Sequence, residues 1–222
     1  MKYGEVELFI TKPIEEHFYD LNILVSGEFP SADKVFGMDL PSHLLIGNDP
    51  LHLEDHAFQV RYWKKVLEKA AEKAQGVVFS PMEISASDNA ALLHDIGRNG
   101  NEDDENHGER SAILAGEHLR ELQFPENEIL LTQELIRAHE PRVQVGIFVR
   151  SDLIFLIKEA DRTQFPRTGK IFDRGRVTYH ETLGIIMPAA QALRFETMRN
   201  IDRGIPRSES LLLAGKTYGI MP

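Results

Sequence analysis

Three stretches of the chain hold residues able to do chemistry together: His56 in "EDHAFQVRYW", His94 and Asp95 in "ALLHDIG", and Asp161 in "IKEADRTQ". Imidazole nitrogens and carboxylate oxygens form a mixed donor set that suits Mn, Fe, Co or Ni, and Mg less well. A divalent ion among them would acidify water and polarise a phosphoryl oxygen. Neighbours on a helix do not share a face. His94 and Asp95 can therefore serve one ion only where a helix ends beside it, and Gly97 marks such an end. The plainer reading is that "HD" before a glycine is helix punctuation, with His94 easing the dipole. Asp95 has the wrong sign for that role. Asp161 adjoins an apolar face built from Leu153, Ile154, Leu156, Ile157 and Ala160. A carboxylate there needs a partner, because burying it uncompensated is costly. That partner is either a nearby arginine, Arg162 or Arg137, or a cation.

His107 opens "HGERSAILAG" and His139 closes "ELIRAH". On the residues alone each is a helix-end residue, His107 bonded to the acidic loop and His139 a cation at a helix C-terminus. Arg98, Arg110, Lys158 and Arg162 are candidates for holding a substrate's charge, and Arg forks match phosphate geometry better than Lys. The window Lys158–Arg176 holds six Lys or Arg against three acids, locally basic in an acidic chain. It reads as a solvated loop or as a phosphate-holding wall. "HLEDH" at His52–His56 places two histidines one turn apart, but Leu53 stands where a zinc protease needs its glutamate, so that reading is rejected.

The elements that must position these residues read as helices. "LEDHAFQVRYWKKVLEKAAEKA" puts Phe58, Tyr62, Val66 and Leu67 on one face, with Asp55 as cap and Gly76 as stop. "SASDNAALLHDI" is a second helix, capped by Ser85 or Ser87. "HGERSAILAGEHLRELQF" carries small residues, Ala112, Ala115 and Gly116, suited to close packing. "PENEILLTQELIRAH" opens with Pro125 and acids in its first turn. "RSDLIFLIKEADRTQ" takes Ser151 as cap. The last long helix, "TLGIIMPAAQALRFETMRNIDRG", ends at Gly204, with Pro188 as a first-turn residue or kink. No segment alternates as a strand would. Residues 1–50 have Gly and Pro breaks and short apolar runs. We read them as an irregular extension with one short helix or hairpin, a lid or dimer contact. The expected fold class is all-α, with residues 51–222 as the helical domain and 166–222 as a C-terminal loop and helix packed on it.

The chain has 222 residues, 42% of them apolar, enough for a sizeable core. It has no cysteine, which removes disulfides, thiolate metal sites and Cys nucleophiles. No apolar run reaches the roughly 18–20 residues that span a bilayer. The opening "MKYGEVELFI" lacks the pattern of a secretory signal, so a cytoplasmic location and no membrane partner are expected. The formal net charge of −10 argues against an extensive nucleic-acid interface. It leaves room for a small phosphorylated substrate, which needs only a few local cations.

The ordered set His, His-Asp, Asp, each on its own helix, resembles the HD-domain superfamily of metal-dependent phosphohydrolases. The stretch concerned is roughly Leu51 to Phe165, and "ALLHDIG" is its most specific part. The resemblance implies a helical bundle with His56, His94, Asp95 and Asp161 as metal ligands, one or two divalent ions, and a small, nucleotide-like phosphorylated substrate. "NHGERSA" and "IRAHE" resemble the segments that supply extra histidines in two-metal members, which implies His107 and His139 as ligands for a second metal or a phosphate, with Asp95 as the bridging carboxylate between ions about 3.5–4 Å apart. Many of those have His-His or His-Thr where this chain has His139-Glu140. Two other functions fit the same residues: di-iron oxygen chemistry on a related fold, and a non-catalytic metal-bound regulatory module.

Overall fold

A computed structural model describes residues 13–25, 27–37, 54–99, 104–140, 149–163 and 180–221. The described residues form nine helices and no strand, so the fold is all-α. In order they are α1 (Ile14–Val25), α2 (Ala32–Phe36), α3 (Glu54–Gln75), α4 (Pro81–Leu93), α5 (His107–Glu121), α6 (Glu126–His139), α7 (Ser151–Arg162), α8 (His180–Asp202) and α9 (Arg207–Thr217).

The long helix α3 is the axis of the molecule. Phe58, Tyr62, Val66 and Leu67 are buried as their spacing predicts, and so are Val60 and Trp63 on other sides. Gln59, Arg61 and Lys64 are buried as well, so other helices surround α3. α4 and α7 pack on one side of α3, and α6 joins α4, α7 and α5. α1, α8 and α9 pack on the other side. Gly76 ends α3 in the left-handed conformation at φ 65°, and Gly204 follows α8 at φ 86°.

α4 starts earlier than the Ser-rich run suggested. Ser80 is its cap, with Pro81 in the first turn. Ser80 Oγ accepts from the Glu83 amide and Glu83 accepts from the Ser80 amide. Ser85 and Ser87 lie inside the helix. Ser87 Oγ donates to Ile84 O at 3.0 Å, and Ser85 Oγ donates to the buried Glu128. Ser151 is likewise not a cap but the first residue of α7, and Arg150 precedes it with no side-chain cap bond. Arg150 instead fastens that end of α7. It donates to Val78 O at 3.1 Å, lies 3.3 Å from Glu83 Oε1, and stacks over Phe79 at 5.0 Å. Helix α3 begins at Glu54, so Asp55, expected as its cap, lies within its first turn. Pro188 falls in the interior of α8.

Part of the segment read as irregular is helical and belongs to the core. α1 packs on α8 and α3, burying Phe18, Leu21 and Val25, and α2 buries Val35 against α3. α9 follows α8 and packs on α3 and α8. Tyr62 Oη donates to Ile220 O just beyond it, at 3.1 Å. No described helix is long and apolar enough to cross a membrane.

α5 and α6 approach closely because Gly116 has no side chain. A Cβ there would lie 2.3 Å from Gln133 Nε2, whose amide donates to Ala112 O at 2.9 Å. The start of α3, the ends of α4, α6 and α7, and the start of α5 meet at one end of the bundle. The candidate residues lie there.

Candidate functional site

Asp95 sits at the centre. α4 ends at Leu93 and the chain continues as a tight turn over residues 94–97, with Ile96 N donating to Leu93 O and Arg98 N to Asp95 O. The turn aims both His94 and Asp95 at the end of the bundle, which a continuing helix could not do. Gly97 is needed for a reason other than the expected left-handed stop. A Cβ on it would lie 2.5 Å from Ser111 N and 2.7 Å from the Arg110 carbonyl carbon. It lets the turn rest directly on α5, where Gly97 N donates to Ser111 Oγ at 2.9 Å.

Two groups share Asp95. On one side, His56 Nε2 lies 3.6 Å and His94 Nε2 3.4 Å from Asp95 Oδ2. Asp161 completes this side, with Oδ1 at 3.4 Å from His56 Nε2 and 3.8 Å from His94 Nε2. On the other side, His107 Nε2 lies 3.4 Å and His139 Nε2 3.8 Å from Asp95 Oδ1, and the two nitrogens are 3.0 Å apart. Donors about 2.1 Å from one ion are separated by about 3.0 Å in an octahedron and about 3.4 Å in a tetrahedron, so both groups have the dimensions of a coordination shell. His56, His94 and Asp95, and again Asp95, His107 and His139, are therefore sets that could hold a metal ion.

The tautomers agree with that use. His94 Nδ1 lies 3.0 Å from Ala91 O, His139 Nδ1 bonds to Ile136 O, and His107 Nδ1 lies 2.9 Å from both Asp104 O and Glu140 Oε1. Those oxygens can only accept, so each Nδ1 carries a proton, and wherever the ring is neutral its Nε2 presents a lone pair. His94 Nε2 is buried with no hydrogen bond. Burial pushes the His139 imidazole down to about 4, and His94 beside it adds to the effect, so it is neutral at pH 7. The Nε2 atoms of His94, His107 and His139 thus converge on the Asp95 carboxylate, an arrangement that could hold a cation.

The candidate substrate residues divide. Arg98 reaches the second group, with NH1 3.4 Å from His107 Nε2 and 3.6 Å from Asp95 Oδ1. Lys158 is half-buried one turn before Asp161, and burial, with Arg162 adding repulsion, pushes its ammonium down. Arg162 donates to the buried Glu159 at 2.8 Å. Arg110 does not face the site. Its Nε donates to Gly97 O at 3.0 Å and its NH2 pairs with Asp104, fastening the loop between α4 and α5. Asp104, from the acidic loop, also accepts from Asn99 N at 2.7 Å. The remaining residues of the basic window, 164–176, and His52 lie outside the described residues. Glu140 was legible only as a departure from the two-metal pattern; its carboxylate in fact turns to α5, accepting from Gly108 N at 2.7 Å.

Fold and site together define an all-helical protein with a candidate metal centre of four histidines and two aspartates at one end of its bundle. No protein-family model, curated protein or solved structure matches the chain.

Proposed function

We propose that the chain is a metal-dependent phosphohydrolase of HD-domain type, acting on a small phosphorylated, nucleotide-like substrate. The observation that carries this reading is the convergence of His56, His94, Asp95 and Asp161 with His107 and His139 around one carboxylate. His56, His94, Asp95 and Asp161 would hold one divalent ion, and Asp95, His107 and His139 a second. Mn, Fe, Co or Ni fits this N/O set, and Mg less well. Bound there, the metal supplies Lewis acidity, making water a stronger nucleophile near neutral pH and drawing charge from a phosphoryl oxygen.

The chain's own residues do the rest. Asp95 stands between the imidazoles of both groups, within 3.4–3.8 Å of each Nε2. The buried Nδ1 contacts hold the rings in one tautomer, so no rearrangement precedes ligation. Asp161, with its side chain 27% exposed against 9% for Asp95, marks the side open to solvent and thus to substrate. Arg98 lies where a phosphate oxygen can exchange for its present contact with His107. Lys158 lies one turn from Asp161, on the same open side, where its ammonium can bind a second phosphate oxygen.

The test is a panel of nucleoside mono-, di- and triphosphates and cyclic and dinucleotide esters, assayed with Mn, Co, Ni or Mg added to chelator-treated protein. The reading expects phosphate or nucleotide release that needs metal and disappears in His94→Ala. Metal-bound protein with no turnover on any member would favour a regulatory module instead.

A further inference from the structure

We propose that Glu140 is the positioning residue of the second ligand group, fixing His107 and thereby setting the affinity for the second ion. The inference rests on the metal reading above and goes beyond it, because a ligand pattern says nothing of what stands behind each ligand.

The backbone sends the Glu140 side chain away from that of His139, the ligand before it. Glu140 is the C-cap of α6, extended at φ −67° and ψ 141°, and its carboxylate is nearly buried against the first turn of α5. There Oε1 accepts from Gly108 N at 2.7 Å and lies 2.9 Å from His107 Nδ1. α5 needs such a partner. Its own cap, Asn106, is left-handed at φ 66° and makes no side-chain cap bond. An anion at a helix start is also favoured by the helix dipole.

Gly108 leaves the room. A Cβ on it would lie 3.1 Å from Glu140 Cγ and Cδ and 3.2 Å from Oε1, so a side chain there would press the carboxylate back by a few tenths of an ångström. His94 and His139 have only neutral backbone carbonyls behind Nδ1. His107 has a carbonyl and a carboxylate. A carboxylate behind a ligating imidazole fixes its tautomer, holds its ring and raises its basicity. The second group is therefore clamped between α5 and α6 by one residue that binds both the ring and the helix start.

The experiment measures Mn binding by equilibrium dialysis over a range of free Mn, using chelator-treated full-length protein. Wild type is compared with Glu140→Gln, which keeps an oxygen for Gly108 N–H and removes the charge. The first ion should bind as in wild type and the second 10–100-fold more weakly. Nitrogen NMR of the metal-free proteins should show the His107 Nδ1–H signal moved by loss of the carboxylate, while the Asp104 carbonyl still accepts from it. Gly108→Ala, which presses the Glu140 carboxylate back while favouring the helix, should weaken the second ion in the same direction. Second-ion affinity within twofold of wild type in both variants would overturn the proposal, as would equal weakening of both ions. Wild type that binds a single ion also overturns it while sparing the metal reading; wild type that binds none overturns both.

Discussion

Helices α3 and α4 bury two charged clusters, and they are built on opposite plans. One surrounds Asp88 on α4 and the other Asp95 in the turn that follows it. Around Asp88 the chain supplies the cations itself. Lys64 Nζ lies 3.0 Å from Asp88 Oδ1, Lys65 pairs with Oδ2, Arg61 NH2 lies 4.0 Å away, and Lys64 also pairs with Glu68. Burial acts to raise the Asp88 pKa, and Lys64, Lys65 and Arg61 outweigh it, leaving the carboxyl below the ordinary range. Around Asp95 the nearest groups are mostly imidazoles that turn Nε2 inward, and those of His94, His107 and His139 turn Nδ1 outward to oxygens. A buried cluster that carries its own counter-charges ties two helices together. One that gathers lone pairs is shaped for a cation from outside.

The contrast can be broken at either end. Asp88→Ala should give the largest loss of stability, about 3–5 kcal/mol, because it strands buried cations. Urea unfolding of the metal-free protein measures it, and the fraction that remains folded should bind metal as wild type does. A smaller effect is expected from pH. The folded His139 pKa, about 4, lies below the 6.5 of an unperturbed imidazole. Between these values the unfolded chain binds the extra proton, so stability rises with pH through this window and is lost as pH falls. The loss in metal-free protein from pH 6.5 to 4 is on the order of 3 kcal/mol. His139→Gln should flatten that part of the pH profile, whereas a change at Asp88 should not. Smallest is Ser80→Ala, which removes the cap of α4 and should cost about 1 kcal/mol while leaving metal binding unchanged.

Helices α3 to α8 and the six converging residues were legible in the sequence because both signals are local in kind; α2 and α9 were not read. Apolar spacing marks a helix wherever it packs, and His-Asp before a glycine marks a helix end wherever it points. What was illegible depends on contacts across the fold. Gly97 looks like a helix stop, and only α5 pressed against it shows why it has no side chain. Asp88 looks like part of a polar capping run, because its cations lie on α3, more than twenty residues away. Arg110 looks as available as Arg98 until Asp104 is seen to engage it. Ser80 is different. The box of Ser80, Pro81 and Glu83 was present in the sequence, and the Ser-rich run after it drew the helix start too late.

The central claim, that Asp95 is the shared ligand of a metal centre, is tested most directly by the thermal midpoint of wild type and Asp95→Asn with and without added Mn. Asparagine keeps the shape and removes the charge. The account predicts that wild type, at free Mn a hundredfold above its Kd, gains about 2.7 kcal/mol and a higher midpoint. It predicts that Asp95→Asn folds with near-wild-type stability when metal-free and gains nothing. An equal rise in both proteins, or none in wild type, would contradict it.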